Sequence, residues 1–124
     1  MIRIVAGTAL LSFAFATGAA AEEGAALFEP CRACHSLDPA AKVMPGPNLS
    51  GLIGRKVAAD PSFDYSPVLR SVRDQGRVWT RELLEQFLAD PEAMFPAMWM
   101  TAQGMRNAED RKALAAFIAD PASR

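Results

Sequence analysis

Cys31-Arg32-Ala33-Cys34-His35 places two thiols three residues apart, with an imidazole directly after the second. In a helical segment, positions i, i+3 and i+4 lie on one face, so both sulfurs and the ring can address a single flat cofactor. This C-x-x-C-H order is a signature of covalent c-type haem attachment. Cys31 and Cys34 would form thioethers with the vinyl groups while His35 reaches the iron. The five residues contain both cysteines and the single histidine of the 124-residue chain. Other chemistries share parts of the pattern. A redox dithiol follows a strand in a βαβ setting, and the chain shows no such alternation. Structural zinc takes about four N or S ligands, whereas this cluster offers three. A disulfide here would close a very short loop and stabilise little.

Around this motif, the length allows one domain. Residues 1–21 have the order of a secretory signal: Arg3, an apolar run from Ile4 to Ala16, and Ala19-Ala20-Ala21 before Glu22. The run is shorter than the about 20 apolar residues of a membrane span; an uncleaved anchor is the alternative. The expected mature domain is 22–124, in an exported compartment. Without Arg3, twelve Lys plus Arg face fourteen Asp plus Glu, a formal balance of −2. That balance disfavours nucleic acid as a partner, since phosphate contacts need a basic face. A hundred residues bury a thin core, to which a buried haem would add apolar bulk.

Downstream, the sequence reads as helices and long loops. Gly24 to Ala33 is expected as a first helix, with Leu27 and Phe28 inward and Pro30 awkward for its interior. From Ser36 to Ser50, Pro39, Pro45, Gly46 and Pro47 mark a loop. Ser66-Pro67 opens a short helix, Ser66 as N-cap and Val68, Leu69 and Val72 as its buried stripe. Thr80 caps the next, with Leu83, Leu84, Phe87 and Leu88 on one face and Asp90-Pro91 at its end. A nonhelical, methionine-rich stretch from Met94 to Met100 follows. The last helix is expected from Asn107 to Asp120-Pro121, with Leu114, Phe117 and Ile118 inward.

Six ordered segments resemble the class I c-type cytochromes: the attachment motif, Gly46-Pro47-Asn48-Leu49-Ser50-Gly51-Leu52-Ile53-Gly54-Arg55-Lys56, Phe63-Asp64-Tyr65-Ser66, Val78-Trp79-Thr80, Leu88-Ala89-Asp90-Pro91, and Pro96 to Met100. The resemblance spans nearly all of residues 24–118. It implies a small all-α cytochrome c fold, with about four to five helices and long loops wrapped around one covalent haem c. It further implies that the Pro47 carbonyl accepts the proton on the far imidazole nitrogen, and that Arg55, Tyr65 and Trp79 donate to haem propionates. Met100, four residues after Pro96, is the implied sixth iron ligand opposite His35, with Met98 as the alternative. Met94 and Met105 stand nearby. Several positions depart from the family pattern. Phe87 replaces a tyrosine that often bonds the ligand sulfur, Met98 a threonine, Leu69 an asparagine, and Trp99 a lysine commonly used in docking.

With His35 and Met100 on the iron, no open coordination position remains, so the expected function is one-electron transfer, not enzymatic turnover. The expected protein is a soluble, monomeric periplasmic carrier that meets redox partners through its exposed haem edge and takes no small-molecule substrate. Ala33, Ala97, Met98 and Trp99 are candidates for an apolar rim to that edge. Two alternatives use the same motif: a haem-bearing subunit of a larger oxidoreductase complex, membrane-associated through its partner, and a small haem enzyme or gas binder with a labile sixth ligand.

Overall fold

The computed structural model describes residues 17–120. The helices are α1 (Thr17–Phe28), α2 (Pro67–Asp74), α3 (Arg81–Ala89), α4 (Pro91–Met94) and α5 (Ala108–Ala119), with a 3-10 helix over Glu29–Ala33. Proposed leader residues 1–16 lie outside the described residues, and α1 runs across Ala21-Glu22. Among the described residues no helix is long and apolar enough to cross a membrane.

The first helix therefore differs from the expected Gly24–Ala33 span. Pro30 supplies the reason: it has no N–H to donate, and its ring crowds the carbonyl four residues back. The α-helix stops at Phe28, and the chain tightens into the 3-10 helix carrying Cys31. A second difference lies at Asp90-Pro91, which both ends α3 and starts α4. Asp90 accepts from the Ala93 N–H at 3.0 Å, with Pro91 in the first turn, where its missing N–H costs nothing. Met94 is thus helical, and the nonhelical stretch begins after it.

The other helices start at their expected caps. Thr80 Oγ1 accepts from Leu83 N–H at 3.1 Å, and Asn107 Oδ1 accepts from Glu109 and Asp110 N–H. Ser66 stands at the N-cap of α2, but its hydroxyl caps nothing. The stripe Val68, Leu69 and Val72 is only partly buried. Leu83, Leu84 and Phe87 of α3 are buried, as are Leu114, Ala115, Phe117 and Ile118 of α5.

Helices α1 and α5 cross at Gly24. A Cβ there would lie 2.5 Å from Phe117 Cβ, so only glycine permits this approach. One turn on, the Phe28 and Phe117 rings meet at 5.8 Å between centroids. Between the 3-10 helix and α2 the chain is loop, fastened to the segment before α3 by an antiparallel bridge, Lys56 to Val78. The period-2 pattern did not foretell this bridge, since so short a pairing has no alternation to read. Its bonds, Val57 N–H to Arg77 O and Trp79 N–H to Arg55 O, hold the Arg55 loop beside the start of α3.

Candidate haem-binding site

The attachment motif closes on itself. Cys31 O accepts from Cys34 N–H at 3.1 Å and from His35 N–H at 2.9 Å, giving the single turn that its spacing calls for. Both thiols are free, Cys34 exposed and Cys31 partly buried. Burial, then the neighbouring Cys34, raises the pKa of the Cys31 thiol.

His35 is held from two sides. Its Nδ1 lies 2.7 Å from Pro47 O. A carbonyl only accepts, so Nδ1 carries the proton and Nε2 keeps its lone pair for a metal. The segment bearing Pro47 is tied to the motif by Gly46 N–H to Cys34 O at 2.8 Å and Leu49 N–H to Ser36 O at 2.9 Å. Gly46 packs on the imidazole itself, since a Cβ there would sit 2.6 Å from His35 Cε1. In the sequence Gly46 is loop punctuation. Its close approach to the ring becomes visible only once Cys34 and Gly46 are paired.

The bridge brings the Arg55 and Trp79 segments together, and Tyr65 comes from the chain between them. The Arg55 guanidinium donates to Asn48 O at 2.7 Å and Ser50 O at 3.3 Å, while its buried Nε has no partner. Tyr65 is 6% exposed; its hydroxyl oxygen accepts from Asp60 N–H at 3.3 Å, leaving its own proton to donate elsewhere. Burial dominates its raised pKa, so the phenol stays protonated. Trp79 is buried edge-on to Phe87 and Phe95, with centroids 5.4 Å and 6.4 Å apart.

Ser66 is a residue that sequence reading assigned only as a cap. Its Oγ is buried without a partner, and a buried hydroxyl left unsatisfied costs about 1–3 kcal/mol. Two orphaned buried donors, Arg55 Nε and Ser66 Oγ, suit an anionic acceptor such as a haem propionate. The donors present therefore fit the group, together with the free thiols and the oriented imidazole. The pattern Tyr-Ser-Pro favoured a capping role because the hydroxyl's direction depends on tertiary packing.

The methionine-rich loop begins with a tight turn, Met98 N–H to Phe95 O at 3.2 Å, which sets Ala97 in the left-handed region at φ 62°. Met98 is 7% exposed within the core, and Met100 is partly buried against it. Burial removes Met98 from the proposed apolar rim: it packs beneath the turn while Trp99 points outward, 57% exposed. Ala33 and Ala97 are exposed. At the loop's end Met105 N–H donates to Leu88 O at 2.8 Å, and Gly104 lies so close to Ala89 O that no side chain fits.

Known proteins resemble the chain in sequence and in fold. No protein-family model matches the chain. Cytochrome c-550 of Ancylobacter novellus is 41% identical over 83 residues, 67% of this chain and 78% of the relative. A cytochrome c2 of Agrobacterium tumefaciens (strain II Chrys) is 36% identical over 101 residues, 82% of this chain and 91% of the relative. Ferricytochrome c2 from Rhodopseudomonas palustris has the same fold, with a TM-score of 0.71 at 33% identity over 80% of this chain and 96% of that one. Cytochrome c2 from Rhodospirillum centenum gives 0.73 at 28% identity, over 79% and 94%. The cofactor is accordingly one haem c on Cys31 and Cys34. By its sequence relatives and its all-α fold over the described residues, the chain belongs to the class I c-type cytochromes.

Proposed function

We propose that this cytochrome is a periplasmic one-electron carrier whose iron is held between His35 and Met100. The observation that carries the reading is the 2.7 Å bond from His35 Nδ1 to Pro47 O, which fixes the imidazole with Nε2 free to bind iron. Haem, when bound, supplies a metal that cycles between two oxidation states with little geometric change. The chain's part is to orient its ligands, exclude water and set its potential. Arg55, Tyr65, Trp79 and Ser66 would hold the propionate end. Met100 is favoured as sixth ligand because Met98 is packed in the core and Met94 lies on α4. Partners meet the exposed edge near Ala33, Ala97 and Trp99 through a small transient interface. Replacing Trp99 by Lys should slow electron transfer with the true partner; unchanged kinetics would discard that contact. Removal of residues 1–21 on export gives the mature domain 22–124.

Optical spectra of the purified holoprotein, oxidised, reduced and with carbon monoxide, test the ligation. A low-spin spectrum indifferent to carbon monoxide is expected, with the iron(III)–sulfur band lost in Met100→Ala and kept in Met98→Ala. A high-spin spectrum, or ready carbon monoxide binding by the unaltered protein, would replace the carrier by a gas binder or small haem enzyme.

A further inference from the structure

The Pro47–Asn48 peptide unit is engaged at both ends. Its carbonyl accepts from His35 Nδ1 at 2.7 Å, and its N–H donates to Asp60 Oδ2 at 3.0 Å. Asp60 lies twelve residues beyond Asn48, outside the six family-like segments. Its second oxygen, Oδ1, accepts from Ser62 N–H at 2.9 Å and Ser62 Oγ at 2.6 Å. The Asp60 N–H donates to the Tyr65 hydroxyl. The carboxylate thus joins the loop behind the imidazole to the loop that carries Tyr65.

We propose that Asp60 is a positioning residue for the electron-transfer centre, acting through the Pro47–Asn48 peptide on the donor strength of His35. A peptide is a conjugated unit with partial C–N double-bond character. An anion on its N–H draws the group toward the form with more negative charge on oxygen. Hydrogen bonds in such chains strengthen one another, so Pro47 O becomes a better acceptor for the imidazole proton. A ligand histidine whose far nitrogen donates more strongly is a more basic ligand, which favours the ferric over the ferrous state. Arg55 faces the same carboxylate and partly cancels its field through space, leaving the route through the peptide as the main one. The inference rests on haem ligation by His35.

The test uses holoprotein with Asp60→Asn, and with Asp64→Asn as a control that removes an equal charge from a carboxylate 80% exposed on the same loop. In Asp60→Asn the ferrous-to-ferric ratio at a fixed applied potential should rise about threefold to tenfold, tenfold being about 59 mV for one electron. The iron–histidine stretching band should fall in frequency, and the His35 Nδ1–H proton resonance should move upfield. Ser62→Ala removes a competing donor from the carboxylate and should shift all three readouts in the opposite sense. It leaves the bond to Asn48 in place, so it reports even if Asp60→Asn fails to fold. An unchanged ratio in both variants overturns the proposal. So does a shift in the ratio with the band and the proton resonance unmoved, or a shift equalled by Asp64→Asn. If the unaltered protein shows no histidine-ligated haem, the functional reading fails first, and the two failures are distinguishable.

Discussion

Replacing Gly46 by Ala puts the ligand geometry under direct strain. The added carbon would stand 2.6 Å from His35 Cε1, 2.9 Å from Nδ1 and 2.9 Å from Cys34 O. Carbon atoms pack best from about 3.5 Å, so ring and loop must part by about 0.9 Å. Neither yields freely. Gly46 N–H is bonded to Cys34 O at 2.8 Å, and His35 Nδ1 to Pro47 O at 2.7 Å. The same displacement takes either bond to about 3.6–3.7 Å, past the hydrogen-bonding range. Overpacking costs about 1–3 kcal/mol and the lost bond about 1 kcal/mol. For a domain near a hundred residues, such a loss lowers the melting temperature by on the order of 10–30 °C. Thermal melts of ferric holoprotein measure the loss, and the Nδ1–H proton resonance reports the ring. A variant melting within about 3 °C of the parent with that resonance unmoved would refute the close-packing account.

Three further outcomes are expected. Ala97→Gly should raise stability by about 0.5–1 kcal/mol: relief of a left-handed alanine gains about 1–2 kcal/mol and the freer unfolded chain returns about 0.5–1 kcal/mol. An unchanged or lower melting temperature would count against strain at φ 62°. Phe117→Ala removes the ring packed on Phe28 and Gly24 and should cost about 3–5 kcal/mol, measured by urea unfolding; a loss under about 1 kcal/mol would mean α1 and α5 do not depend on this contact. Asp60 gives an acid limb. Burial raises its pKa, but bonds from Ser62 and Asn48, with the Arg55 charge, more than offset this, and the net shift is downward. A carboxyl with a lowered folded pKa contributes stability above its unfolded value of about 3.9, and loses it as pH falls through the folded value. Urea midpoints from pH 7 to pH 3 should therefore fall less steeply in Asp60→Asn than in the parent; parallel curves would sink that assignment.

How much of this could be read in the chain depends on how local the cause is. The attachment turn is set by five adjacent residues, and Thr80 and Asn107 cap their helices from one position away, so all three were legible. Pro30 and Pro91 show the limit of punctuation. Each ends one helix and opens another, because a proline that breaks an interior also suits a first turn. The orphaned hydroxyl of Ser66, the role of Gly46 behind His35 and the carboxylate of Asp60 were not legible. Each gains its meaning from a partner brought near by loop closure, and loops without regular period leave no trace of which residue will face which. Met98 and Met100 stand two places apart in the chain; burial separates them, composition does not.

The crossing of Gly24 on Phe117 has a topological consequence. It lies only two residues beyond Glu22, where the mature chain is expected to start, and three before Asp120. Among the described residues, the first and last helices are therefore clasped side by side. A circular permutant, with these ends joined by a short glycine linker and new termini cut at the exposed Lys42–Val43 bond, should retain the clasp as a covalent loop. Its haem-binding turn would then lie close to the new C-terminus, and export and cofactor attachment could be asked separately of a fold in which they are now neighbours.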